Sequence, residues 1–75
     1  MVKPTRVTNS IRDLRAARGD MTQAELARRI GVTRQTVIAI EQGRYSPSLE
    51  VAFQIARVLG VGLDDVFAYP HEEPR

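Results

Sequence analysis

Four side chains stand out for the bonds they can form: Gln23, Arg34, Gln35 and Arg44. Glutamine carries a donor beside an acceptor and arginine a planar fork of donors. Both types can grip flat polar edges or phosphate oxygens through paired hydrogen bonds. That is recognition chemistry, not bond making. For catalysis the sequence offers little. It holds no cysteine and one histidine, His71, with no nucleophile–base pair and no glycine-rich phosphate loop. No group of ligands accompanies His71, so neither a metal nor a cofactor is expected. The same gaps argue against an enzyme, and no small-molecule ligand is evident.

Charge points the same way. The 75 residues carry a net +2, but residues 1–45 hold nine basic and four acidic side chains, and residues 46–75 hold two basic and five acidic. The first part is therefore a plausible polyanion surface, and the second would repel phosphate. Solubility alone also explains arginine-rich helices, so charge by itself decides little. No apolar run approaches a membrane span, and the first residues lack the apolar stretch of a secretory signal. With no cysteine to oxidise, a soluble protein of the reducing cytoplasm is expected.

These side chains need elements to hold them. Residues 1–9, with Pro4 and alternating Val2, Thr5 and Val7, read as an extended arm. Asn9 or Ser10 can cap a first helix bearing Ile11, Leu14 and Ala17, which Gly19-Asp20 ends. Thr22, with Glu25 three residues on, has the capping-box pattern. That second helix turns Leu26, Ala27 and Ile30 inward, and Gly31 stops it. Thr33 caps a third helix whose Val37, Ile40 and Glu41 share one face while Arg34, Gln35 and Ile38 point elsewhere; Gly43 closes it. Ser48 can cap a fourth helix with Leu49, Ala52, Ile55, Ala56 and Leu59 at core spacing. After Gly60-Val61-Gly62, residues 63–67 read as a short fifth helix. Residues 68–75 are an extended exit and polar tail. The core this permits is small, and burial alone rarely stabilises a domain of this size by more than about 3–5 kcal/mol.

The stretch Gln23–Glu41, QAELARRIGVTRQTVIAIE, is the most informative. Its two short helices meet through Gly31-Val32, too tight a turn for antiparallel packing. Ala27 allows close approach, and Leu26, Ile30, Val32, Val37 and Ile40 fill the angle. The third helix is thereby thrust outward in a helix-turn-helix corner. The spacing of Gln23, Ala27, Gly31, Val37 and Ile40 resembles the Cro/C1-type (XRE) repressor family. Glu41–Glu50 is similar to that family's next loop and fourth helix, and Leu59–Phe67 to its final helix. The resemblance spans about Ile11 to Phe67 and is closest to very short bacterial and plasmid-borne regulators. One departure is Arg18-Gly19-Asp20-Met21, one residue longer than the usual connection.

The resemblance implies an all-α, five-helix, lambda-repressor-like DNA-binding domain over residues 10–67. The N- and C-terminal arms, Val2–Val7 and Phe67–Pro70, could pair as a small two-stranded antiparallel sheet. It implies a transcriptional regulator, most simply a repressor, that binds double-stranded DNA with helix 33–42 in the major groove. Thr33, Arg34, Gln35 and Ile38 take the base-reading positions. Arginine suits guanine O6 and N7, glutamine suits adenine N6 and N7, and isoleucine packs on a thymine methyl. Gln23, Thr36, Gln42, Gly43, Arg44, Tyr45 and Arg28 take positions suited to phosphate. Several of these have plainer readings. Thr33 can serve only as a cap, Ile38 can meet a protein, Tyr45 can simply cover the loop, and Arg29 can be a solvated charge. Glu41 matches the family position that pairs with a basic residue of the first helix, here Arg15.

A domain this small grips one half-site weakly, so a homodimer on a palindromic operator is expected. Its interface is expected at Val61, Leu63, Val66, Phe67 and Tyr69, with Val51 and Phe53 as further candidates; completion of a small core is the plainer reading. An antitoxin, or an interaction module that has lost DNA binding, are the alternatives. The short tail speaks against the first, and Gln23, Arg34, Gln35 and Arg44 speak against the second.

Overall fold

A computed structural model describes residues 5–70. The elements run in the order β1 (Thr8–Asn9), α1 (Ile11–Ala17), α2 (Gln23–Ile30), α3 (Arg34–Glu41), α4 (Leu49–Leu59), α5 (Leu63–Val66) and β2 (Phe67–Ala68). Five helices therefore surround one core, closed by a two-stranded ribbon.

Local chemistry sets the helix starts. Thr22, Thr33 and Ser48 each adopt an extended backbone and accept, through the hydroxyl, the amide of the residue three positions on. Each cap satisfies a donor the helix cannot, worth about 1 kcal/mol. The capping box expected at Thr22 is only half formed. Glu25 donates its amide to Thr22, but its carboxylate accepts from Arg28 and Arg29 instead of reaching back. Two guanidinium partners are the stronger attraction. They hold the Glu25 carboxyl below its usual range, the Arg28 hydrogen bond being the main cause. At α1 the expected alternatives both take part. Ser10 occupies the cap position without a side-chain bond, while Asn9 Oδ1 accepts the amide of Ile11 at 3.2 Å.

Ile11, Met21, Leu26, Ala27, Ile30, Val37, Ile40, Ile55, Ala56, Leu59 and Val66 form the core, with Leu14, Val32, Tyr45, Val51 and Phe67 packed against it. Two apolar positions of the helix patterns lie outside the core. Ala17 is exposed at the end of α1. Leu49 lies on the inward angular face of α4 but is 67% exposed, because it sits in the first turn, where no helix covers it. It instead lines a shallow hollow with Val7, Pro47, Leu63 and Phe67.

The arms pair within the chain, as an antiparallel ribbon with Thr8 opposite Ala68 and Asn9 opposite Phe67. The N-terminal strand is thus later than the expected Val2–Val7: Val7 lies just outside it, and residues 1–4 are outside the described residues. Ser10 N–H, donating to the Val66 carbonyl at 2.8 Å, draws the start of α1 onto α5 and favours this register. His71 and the rest of the polar tail, 71–75, also lie outside the described residues.

The longer connection after α1 is absorbed by two successive left-handed residues, Gly19 (φ 71°) and Asp20 (φ 57°). Aspartate is among the few side chains that tolerate this region. Beyond it Met21 turns in, its amide donating to the Arg15 carbonyl at 3.0 Å.

Gly60 ends α4 at φ 75°, and a Cβ there would stand 2.9 Å from the Arg18 guanidinium. Gly60→Ala must therefore hold an unfavourable backbone and push Arg18 aside. The expected loss is about 1–2 kcal/mol, read in a thermal melt as a fall of roughly 4–16 °C. An unchanged melting temperature would contradict this account of the α4–α5 corner.

Candidate nucleic-acid interface

The α2–α3 corner rests on Leu26, Ile30, Val37 and Ile40, all buried. Gly31 makes the turn possible. It adopts φ 77°, and both its own amide and that of Val32 donate to the Ala27 carbonyl. Closing the end of α2 this way lets Thr33 cap α3 two residues after Gly31.

With Val37 and Ile40 inward, the opposite side of α3 faces out. Thr33, Arg34 and Gln35 are exposed, and Thr36 and Ile38 are half-buried. Arg34 and Gln35 therefore project their fork and amide from the first turn of α3, next to each other. Thr33 is committed to capping: its hydroxyl accepts the Thr36 amide at 3.1 Å and lies 3.0 Å from the Thr36 hydroxyl.

Behind this face, a polar network fixes how α3 is presented. Arg15 and Glu41 pair through Nε–Oε2 at 2.7 Å and Nη2–Oε1 at 3.1 Å. Arg15 Nη1 also donates to the Met21 carbonyl at 2.8 Å. Gln23 Nε2 donates to Glu41 Oε1 at 3.1 Å. One carboxylate on α3 thus gathers α1 and the first residue of α2. The pair is largely removed from water, at 14% and 9% side-chain exposure, where such bonds hold geometry firmly. Asn9 adds a second tie, donating Nδ2 to the Ile40 carbonyl at 3.0 Å. Sequence reasoning saw Asn9 only as a cap. Its reach to α3 depends on the β1–β2 pairing, and no local pattern announces that.

Around the network lies a shallow polar hollow bordered by Arg12, Arg15, Gln23, Arg34, Glu41 and Gln42. Gln23 sits here at the start of α2, where unpaired helix amides favour an anion. Its side chain also serves the Glu41 network, which leaves one amide N–H of that side chain for a further acceptor. Arg12 was not singled out from the sequence. Its place next to the inward Ile11, on the polar side of the α1 pattern, is the sequence signal that could have found it.

The other expected phosphate contacts are spread along the same region. Gln42 and Arg44 are exposed after α3, and Tyr45 is half-buried with its ring against the core. Gly43 is a correction. Its amide donates to the Ile40 carbonyl at 3.1 Å, so a residue with no side chain has no free donor to offer. The Gln42 and Arg44 amides are likewise spent, on Ile38 and Ala39, leaving only the side chains of those two residues. Arg28 is ion-paired to Glu25 yet 72% exposed; exposed pairs of this kind are weak and readily exchanged.

The expected interface residues divide. Val66 is 1% exposed and belongs to the core, because α5 packs against α4 and turns its last residue inward; it is not a surface residue. Val51 packs inward as well. Val61, Leu63 and Phe67 are half-buried, while Phe53 and Tyr69 are exposed. The Arg6 guanidinium lies 5.6 Å over the Tyr69 ring, a cation–π contact at the ribbon's edge.

Residues 11–66 match the sequence pattern of the helix-turn-helix family. Over 54 residues, covering 72% of this chain and 82% of the relative, the sequence is 52% identical to an uncharacterized HTH-type transcriptional regulator of Methanocaldococcus jannaschii. It is 41% identical over 59 residues to the cryptic phage CTXphi transcriptional repressor RstR of Vibrio cholerae, covering 79% of this chain and 52% of that protein. Among solved structures, the hypothetical transcription factor NHTF from Neisseria superposes with a TM-score of 0.69 at 33% identity, covering 80% of this chain and 68% of that one. Among the described residues, no helix is long and apolar enough to cross a membrane.

Proposed function

The chain belongs to the Cro/C1-type helix-turn-helix family of transcriptional regulators, and on that premise we propose that it is a cytoplasmic repressor binding a palindromic operator as a homodimer. The observation that carries this reading is the outward face of α3. Thr33, Arg34 and Gln35 stand exposed beside Ile38 on a helix whose back is fixed by the Glu41 network. Arg34 and Gln35 supply the two side-chain types that discriminate guanine and adenine in the major groove, and Ile38 supplies a surface for a thymine methyl. Gln23, Thr36, Gln42, Arg44, Tyr45 and Arg28 flank this face and set the protein's register on the phosphates. Arg12 joins them.

Repression follows from occupying the site, and the likeness to a phage repressor supports it. Two copies related by a two-fold axis would read half-sites about 34–36 Å apart. Tyr69, Phe67, Leu63, Val61 and Phe53 supply apolar surface for that pairing.

Selection from a random duplex pool at two salt concentrations tests the reading. Recovery of a palindrome with half-sites one helical turn apart, weakened as salt rises, is the expected outcome. No sequence enrichment at either salt would overturn it.

A further inference from the structure

α4 carries a charged and apolar stripe that the DNA-reading face does not use. Glu50, Phe53, Gln54 and Arg57 recur at the helical spacing of three and four residues, are all exposed, and border one hollow with Val61 and Leu63. This hollow shares no residue with the polar hollow beside α3. Leu63 also lines the two neighbouring hollows that contain Phe67, so the surface is continuous with the ribbon. Among the described residues, neither Glu50 nor Arg57 has a salt-bridge partner.

The order of the stripe is its notable property. Read along α4 it runs acid, aromatic, amide, base. A two-fold axis crossing the helix between Phe53 and Gln54 sets Glu50 opposite Arg57 and Phe53 opposite Gln54, twice over. Self-complementarity of this kind is what an isologous interface requires. We infer that the occupant of this face is a second copy of this chain, with α4 antiparallel to its counterpart, Glu50 paired to Arg57 across the axis and Phe53 at the centre. The inference rests on the homodimer proposed above and specifies its register. Phe53 supplies the aromatic anchor typical of an interface centre, and the two charge pairs sit at the ends of the stripe, where they fix orientation more than affinity.

A charge exchange tests it with the full chain, reading dimer dissociation by analytical ultracentrifugation and fold by thermal melting. Glu50→Arg and Arg57→Glu each place two like-charge pairs in the interface, and each should weaken the dimer about tenfold or more. Combining them restores opposite charges, and dissociation should return to within about threefold of the parent. A role confined to the helix dipole predicts the reverse order. Both reversals oppose that dipole, so the double variant would then be the least stable and no better paired. A dimeric parent whose association ignores the single reversals, or that is not rescued by the double, overturns the register alone. A parent that stays monomeric at micromolar concentration overturns the homodimer as well.

Discussion

Glu41→Ala is expected to cost the domain about 3 kcal/mol, because it leaves a partly buried guanidinium without its partner. Arg15 would lose two hydrogen bonds to the carboxylate, and Gln23 would lose one. The three groups come from α1, α2 and α3, so the helix-turn-helix corner and its support loosen together. In a chain of 75 residues a loss of this size lowers the melting temperature by roughly 12–24 °C, a large part of what so small a core provides. Base preference measured well below the melt should survive, since no atom of Glu41 belongs to the outward face. A melting temperature equal to the parent's would show that the network is ornamental.

The second large effect lies on the other side of α3. Arg34→Ala removes the exposed fork at the first turn without touching the core. Loss of one bidentate base contact costs about 1–3 kcal/mol, and a two-fold complex loses it twice, so operator affinity should fall by about 2–6 kcal/mol. Affinity for unrelated duplex should fall far less, because only a phosphate-range charge is lost there. Comparing the two affinities by fluorescence anisotropy separates these outcomes. An equal loss on both duplexes would mean that Arg34 holds phosphate rather than reads a base.

Much of this architecture could be read along the chain because it is written in local chemistry. Thr22, Thr33 and Ser48 cap where a hydroxyl precedes an apolar face, and Gly31 and Gly60 turn where only a left-handed residue fits. The third helix was placed by the inward pattern of Val37 and Ile40, which left Arg34 and Gln35 outside. What the chain did not announce depends on distant partners. Asn9 meets Ile40 only after β1 has found β2. Val66 has the apolar character of an interface residue, and only the docking of α5 makes it core. Leu49 keeps core spacing but falls where the neighbouring elements end. Gly43 occupies a plausible phosphate position, yet the tight close of α3 consumes its amide. Periodicity reports which face a residue occupies, not how far the opposing surface extends.

The central claim is that the outward face of α3 meets DNA. The most direct measurement is the change in backbone amide resonances of the full chain as the selected duplex is added. The largest shifts are expected on Thr33, Arg34, Gln35 and Ile38, with a second group at Gln23 and Arg44. Shifts concentrated on α4 and the ribbon, with the α3 amides unmoved, would contradict it.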